Sequence, residues 1–201
     1  MKTAKGQATR ARILEAAVEM LVAGGAENLS VDDVLRTTRT SKGQLFHYFP
    51  GGKEELRRAA TVRQLERLIT ASAPASLVTW EAWEQWIAHL LRLHELQSQQ
   101  DHCEVAALAA RAVDNDPGTR AIVGRAYNQW IELLRVQLEE MRTARLLRAD
   151  TPVDELASAV VAAVQGGAVI DKATGSNCHL GNALRQTYAL LRGFATQVAV
   201  Q

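Results

Sequence analysis

Little in this 201-residue sequence suits redox or covalent chemistry. It holds two cysteines, Cys103 and Cys178, too few and too far apart for a disulfide framework or a zinc site, so a reducing compartment is the economical expectation. His102-Cys103 and Cys178-His179 are adjacent pairs whose side chains would diverge on a helix, and His89 and His94 are five apart, a spacing that does not share a face. No nucleophile elbow, phosphate loop or dinucleotide fingerprint occurs. Catalytic residues, metal ligands and cofactors are therefore not expected, and neither is an enzyme. Long apolar runs are also missing. The basic N-terminus has no apolar h-region, and the most apolar later stretch, 156–170, is interrupted by Ser158 and Gln165. Neither a signal peptide nor a membrane span is expected, which favours a soluble, cytoplasmic protein.

What is present is a large hydrophobic fraction, 47%, with aromatics at only 5% although four of them are tryptophan. That is ample for a core. The formal charge of +1 hides an asymmetry: residues 1–70 carry a net +4 and residues 71–201 a net −3. A basic head on an acidic body suits a polyanion that touches one end.

The stretch 30–53 organises the chain. Val31, Val34 and Leu35 form one short apolar helical face, and Leu45 and Phe49 form a second at spacing i, i+4. Ser30 and Ser41 are placed as N-caps, and Asp32-Asp33 favour the positive end of the first helix. Thr38-Arg39-Thr40 make the turn. Two short helices on a shared core would leave Lys42, Gln44, His47 and Tyr48 outward, side chains suited to phosphates and base edges, so a helix-turn-helix is expected.

Elsewhere the periodicity is helical throughout, predicting an all-α chain of nine helices. The first spans 9–23 after a basic arm (Lys2, Lys5, Arg10), and Pro50-Gly51-Gly52 separates the third helix from a fourth opening at Lys53. A DNA-binding head over 1–52 and a body over 53–201 are expected. In the body, Trp80 to His94 mark one helix, Val105 to Ala112 a shorter one, and Pro117 opens a long one with Val123, Ala126, Tyr127, Trp130, Leu133, Leu134, Leu138 and Met141 on one face. A helix over 152–171 places Ala159, Ala163 and Gly167 in a strip of small side chains, and a last helix carries Leu184, Tyr188, Leu191, Ala195 and Val198. This terminal pair cannot bury both apolar faces alone, so it is expected to pair with a second chain.

Over residues 9–60, through the helix from Arg12 to Ala23, Asp33-Val34-Leu35, the run Ser41-Lys42-Gly43-Gln44-Leu45-Phe46-His47-Tyr48-Phe49 and Lys53-Glu54-Glu55-Leu56, the chain resembles the TetR family of bacterial transcriptional regulators. Phe49-Pro50-Gly51-Gly52-Lys53 and Val164-Gln165-Gly166-Gly167-Ala168 look like a subgroup that includes regulators of drug and flavonoid response. Two departures stand out. Arg39 occupies a turn position where the family commonly has glycine, and Phe46 replaces a usual tyrosine, removing a hydroxyl that could bond a phosphate.

The resemblance implies a ligand-responsive regulator, a repressor, released from a palindromic double-stranded DNA operator when a small apolar or aromatic effector binds the C-terminal domain, and a homodimer through the last two helices. It implies DNA contacts at Ser30, Thr40, Ser41, Lys42, Gly43, Gln44, Phe46, His47, Tyr48 and Lys53. Gln44 is the base reader, its amide matching adenine; Gly43 lets the backbone come close; His47 is either a base contact or an exposed helix residue. An apolar cavity would be lined by Trp83, Trp86, Tyr127 and Trp130 with His89, His102 and Gln165 as polar anchors. The alternative for these aromatics is core filling. The alternative for the whole is a helical small-molecule-binding or protein-interaction module whose head no longer reads DNA.

Overall fold

The computed structural model describes residues 4–24, 29–98 and 117–196. Among them are eight helices: α1 (Ala4–Gly24), α2 (Val31–Thr38), α3 (Lys42–Tyr48), α4 (Gly52–Ser72), α5 (Trp80–Ser98), α6 (Pro117–Thr143), α7 (Val153–Thr174) and α8 (His179–Arg192). No strand occurs among the described residues, only an isolated antiparallel bridge between Leu147 and Ala195. The all-α expectation holds. The short helix expected at 105–112, and His102, lie outside the described residues. The chain divides into two compact units, and the division falls inside α4, between Leu68 and Ile69, and inside α6, between Val123 and Gly124.

The head unit is built on a small apolar core. Ile13, Ala17 and Leu21 of α1, Val34 of α2, Leu45 of α3, Phe49, and Leu56 and Ala60 of α4 are all buried in one cluster. α1 begins five residues earlier than the hydrophobic period predicts, so Lys5 and Arg10 sit on a helix rather than a trailing arm. The Arg10 guanidinium lies 5.1 Å over the Phe49 ring, a cation–π contact that closes the core from outside. Glu15 of α1 pairs with Arg63 at 3.3 Å and with Arg67, fastening α1 to α4.

In the body unit, Trp83, Trp86 and Leu90 of α5 meet Trp130, Leu134, Leu138 and Met141 of α6 and Leu156, Val160 and Val164 of α7 in a second core. The last carbonyls of α4, which have no partner within the helix, are taken by α5: Trp86 Nε1 donates to Ser72 O at 2.7 Å and His89 Nε2 lies 2.9 Å from Ala71 O.

α7 and α8 form an antiparallel hairpin. Of the expected strip, Gly167 makes the close approach: a Cβ there would lie 2.5 Å from Leu180 Cα. Ala159 faces outward. The start of α8 is capped from across the turn by buried Asp171, whose Oδ1 accepts from His179 N at 2.8 Å and Oδ2 from Leu180 N at 3.1 Å; His94 Nε2 of α5 lies 3.2 Å from Oδ2. At 22 residues α7 is longer than the apolar run read from sequence and is long and apolar enough to cross a membrane by length and composition; Val153, Leu156, Ala157, Val160, Val161 and Val164 on it are instead buried in the core.

α8 stops at Arg192, short of the predicted Ala195 and Val198. Gly193 follows it, and the chain then turns back so that Thr196 N bonds Leu146 O at 3.1 Å, Arg148 N bonds Phe194 O at 2.9 Å and the Arg148 guanidinium stacks 5.1 Å over the Phe194 ring. These tertiary bonds replace what another helical turn would have made; Val198 lies outside the described residues.

The two adjacent glycines of α7 separate packing from propensity. Gly167→Ala drives a methyl into the α8 backbone and is expected to destabilise by about 1–3 kcal/mol. Gly166→Ala, where nothing in the same chain lies within 4 Å, is expected to leave the fold of the single chain unchanged or to stabilise it by up to ~1 kcal/mol. Urea unfolding of both variants measures the difference.

Candidate functional site

The turn between α2 and α3 is braced by hydroxyls. Thr38 Oγ1 donates its single proton to Val34 O at 2.6 Å and lies 2.7 Å from Thr40 Oγ1, so Thr40 must be the donor in that pair. Both threonines are buried, Thr40 at 8% exposure. Thr40 therefore builds the turn and is not among the outward side chains. Between them Arg39 caps α2 in the left-handed region, φ 52° and ψ 43°, with its side chain exposed. The bonds Arg39 N to Arg36 O and Thr40 N to Leu35 O take two of the carbonyls α2 leaves open.

α3 is seven residues long, too short to hold itself. It is fixed by burial of Leu45 and Phe49 and by a capping box: Ser41 Oγ accepts from Gln44 N at 3.2 Å while Gln44 Oε1 accepts from Ser41 N at 3.0 Å. The hydroxyls of Ser41 and Ser30 are thus used as caps, Ser30 Oγ accepting from Asp33 N at 3.3 Å. Gln44 is exposed, but its oxygen serves the cap, so what it offers outward is its amide NH2. Bidentate pairing with adenine would require that oxygen to accept a second bond.

Lys42, Gly43, Gln44, Phe46, His47 and Lys53 are exposed and Tyr48 half-buried. No carboxylate lies within ion-pair distance of Lys42 or Lys53 among the described residues. His47 and Tyr48 meet edge to face, ring centroids 4.9 Å apart. Phe46 is 42% exposed and leans on Gly52, where φ is +64° and a Cβ would lie 3.1 Å from the ring. Gly43 differs: a Cβ on it would meet nothing nearer than Ser41 Oγ at 3.9 Å. No contact inside the head requires glycine there.

The body places the expected ligand residues otherwise. Trp83, Trp86 and Trp130 are 2%, 5% and 3% exposed and fill the core. Trp83 Nε1 donates to Met141 Sδ at 3.0 Å, and Trp86 and His89 hold the end of α4. The cavity beside Trp83 and Trp86 has a volume of about 10 Å³, space for at most one water. Tyr127 OH donates to Gln165 Oε1 at 3.1 Å, and burial raises the Tyr127 pKa.

Among the described residues, more space is offered by an open groove of about 680 Å³ along α6 and the end of α4, lined by Ile69, Arg125, Asn128, Gln129, Glu132, Leu133, Val136 and Gln137. Leu133, read from periodicity as a core residue, is among its exposed apolar side chains with Val136. Arg135 bonds Glu132 through Nε and Nη2, both at 2.7 Å, and that hydrogen bonding holds the carboxyl below the usual range. Arg125 has no ion-pair partner among the described residues. The groove was legible only as an anomaly: two aliphatics, Leu133 and Val136, off the stripe of Trp130, Leu134, Leu138 and Met141.

Two family models match. Residues 13–60 match "Bacterial regulatory proteins, tetR family", and residues 79–186 match "Transcriptional regulator LmrA/YxaF-like, C-terminal domain". The HTH-type transcriptional regulator SrpR of Pseudomonas putida is 32% identical over 99 residues, 48% of this chain and 45% of that protein; the HTH-type transcriptional regulator TtgW, also of P. putida, is 32% identical over 99 residues, 48% of this chain and 72% of that protein. The match thus spans about half the length of SrpR. Among solved structures, TetR-family regulators from Cytophaga hutchinsonii (22% identity, TM-score 0.78, 98% of this chain and 100% of that one) and Chloroflexus aurantiacus (20%, 0.78, 98% and 100%) share the fold. Matched over more than half its length by a regulator's C-terminal domain and over its first helices by the helix-turn-helix model, the chain belongs to the TetR family of bacterial transcriptional regulators.

Proposed function

We propose that the chain is a homodimeric repressor in which the head, from α1 into the first part of α4, reads DNA and the body binds an effector and dimerises; the boundary expected at residue 52 then moves into α4. The observation that carries the DNA reading is Gly43. Glycine is a poorer helix former than alanine, by about 0.8–1.0 kcal/mol in an interior and less in the first turn where Gly43 stands, the head has room for a side chain at that position, and the residue is flanked by exposed Lys42 and Gln44. A glycine that the fold does not need leaves space for something outside the fold, here a DNA backbone or base edge. Lys42, Tyr48 and Lys53 supply phosphate donors around it, and the Gln44 amide NH2, with His47 and the Phe46 ring, faces base edges.

The dimer is proposed on α7 and α8. α7 presents Ala159, Ala162, Gly166, Val169 and Ile170 to solvent and α8 presents Leu190, small and apolar side chains that suit close isologous helix packing. The effector is placed in the α6 groove rather than among the tryptophans. Its volume falls in the ~300–1,000 Å³ range of small-molecule sites, its floor is Ile69, Leu133 and Val136, and Arg125 with the amides of Asn128, Gln129 and Gln137 supplies donors. That chemistry fits an amphipathic molecule with an apolar body and an acceptor-rich or anionic end. Ile69 belongs to α4, so occupancy bears directly on the helix that continues from the head.

Selection from a randomised duplex pool tests the reading. An inverted repeat is expected, with half-sites one helical turn, ~34–36 Å, or a multiple apart; no enrichment at all would favour the interaction-module alternative. Against the selected duplex, Gly43→Ala should raise stability by less than ~1 kcal/mol yet weaken binding. Ile170→Glu should yield monomers in sedimentation velocity. For the effector, hits from a thermal-shift panel of amphipathic carboxylates and neutral aromatics should weaken parent operator binding about 5–150-fold and should be lost in the double variant Leu133→Trp with Val136→Trp, which sets two indoles across the apolar floor of the groove, while Leu133→Trp alone still binds the duplex. Hits that survive the double variant would place the effector elsewhere.

A further inference from the structure

We propose that Arg39, in the turn before α3, is a phosphate anchor of the reading head; this rests on the DNA reading above. Its backbone, at φ 52° and ψ 43°, lies where a side chain is disfavoured and where helix ends commonly carry glycine. Nothing in the fold offsets that cost through the arginine side chain: it is exposed and pairs with no carboxylate among the described residues. Arg145, the other non-glycine residue at positive φ among those described, is exposed too, but it follows α6 in the body unit and stands beside no reading helix.

Residues persist in such conformations where the surroundings fix them, and they concentrate at binding sites. The Thr38–Thr40 hydroxyl pair fixes the peptide on both sides of Arg39, so the guanidinium departs from a braced backbone and only its own side-chain rotamers remain to be ordered on docking. Three residues further on stands Lys42, exposed at the first position of α3. A guanidinium and an ammonium at that spacing, ahead of the reading helix, suit successive phosphates of one strand, with the guanidinium able to engage two oxygens of one phosphate. Such a contact fixes docking without reading sequence.

Arg39→Gly separates the roles because its two effects have opposite sign. Thermal unfolding is expected to shift upward by about 2–4 °C as the left-handed strain is relieved. The slope of log affinity against log salt, measured on the selected duplex, is expected to fall by about 0.9 per half-site, about 1.8 per dimer; the parent then loses about tenfold more affinity than the variant between 50 and 200 mM salt. Arg39→Lys should keep most of the slope. An unchanged slope in Arg39→Gly, alongside a reduced slope in Lys42→Ala, overturns the anchor and leaves the DNA reading standing. Absence of salt-dependent duplex binding by the parent overturns both. A lowered unfolding temperature in Arg39→Gly overturns the argument that the fold does not need arginine there.

Discussion

The carboxyl end of α4 is held by two side chains of α5, the Trp86 indole on Ser72 O and the His89 imidazole on Ala71 O. The same helix carries Leu56 and Ala60 in the head core and, at Arg63 and Arg67, the pairing with Glu15 of α1. α4 thus runs from the head core to a far end that hangs on these bonds. Their size matters. A protein hydrogen bond contributes about 0.5–1.5 kcal/mol net, and an allosteric coupling that changes affinity 5–150-fold amounts to about 1–3 kcal/mol. In the function proposed above, breaking or re-forming one or two bonds at the end of α4 is of the size such regulation requires.

That arrangement also explains why the tryptophans are poor candidates for an effector pocket. Trp83 commits its N–H to Met141 and Trp86 commits its own to α4, and close packing leaves about 10 Å³ beside them. The groove on α6 has the opposite character: wide, edged by amides and by Arg125, and bordered by the last turns of α4. A ligand there changes the surroundings of Ile69, two residues from the carbonyl that His89 meets. The proposed effector groove and the bonds at the end of α4 are thus neighbours in sequence.

Much of this is legible in the order of residues alone. Ser30 and Ser41 are recognisable as caps because hydroxyls stand just ahead of apolar helical periods, and both are caps; the turn, the break at Pro50 and the antiparallel α7–α8 pair follow from the same signals. What fails is assignment by residue type. Aromatic side chains at helical spacing serve a core and a pocket equally well in a sequence, and only packing tells them apart. Thr40 is polar and sits in the reading stretch, yet its hydroxyl closes a buried pair. Gln44 is the right residue to read a base, but the capping box engages its oxygen, a constraint set by Ser41 three residues away. Gly193 and the bonds of Thr196 end α8 early, and no local period foretells a tail returning to Leu146.

The residues most informative about function are those the fold would not choose. A well-matched sequence has each local preference agreeing with the global structure. At Gly43 a helix holds its poorest ordinary former although a larger side chain fits; at Arg39 a conformation suited to glycine holds the longest cation. Each choice costs stability in isolation, and the two lie four residues apart on either side of the cap that starts α3. Two other glycines are placed by need: Gly167 where Leu180 leaves no room for a methyl, and Gly52 where φ is positive and Phe46 leans in. The mismatched pair has no such internal reason. Removing a side chain at one position and extending a positive charge at the other are two adjustments that bring a helix close to a polyanion, so under the DNA reading proposed above the head's local disagreements with its own fold have a common reason.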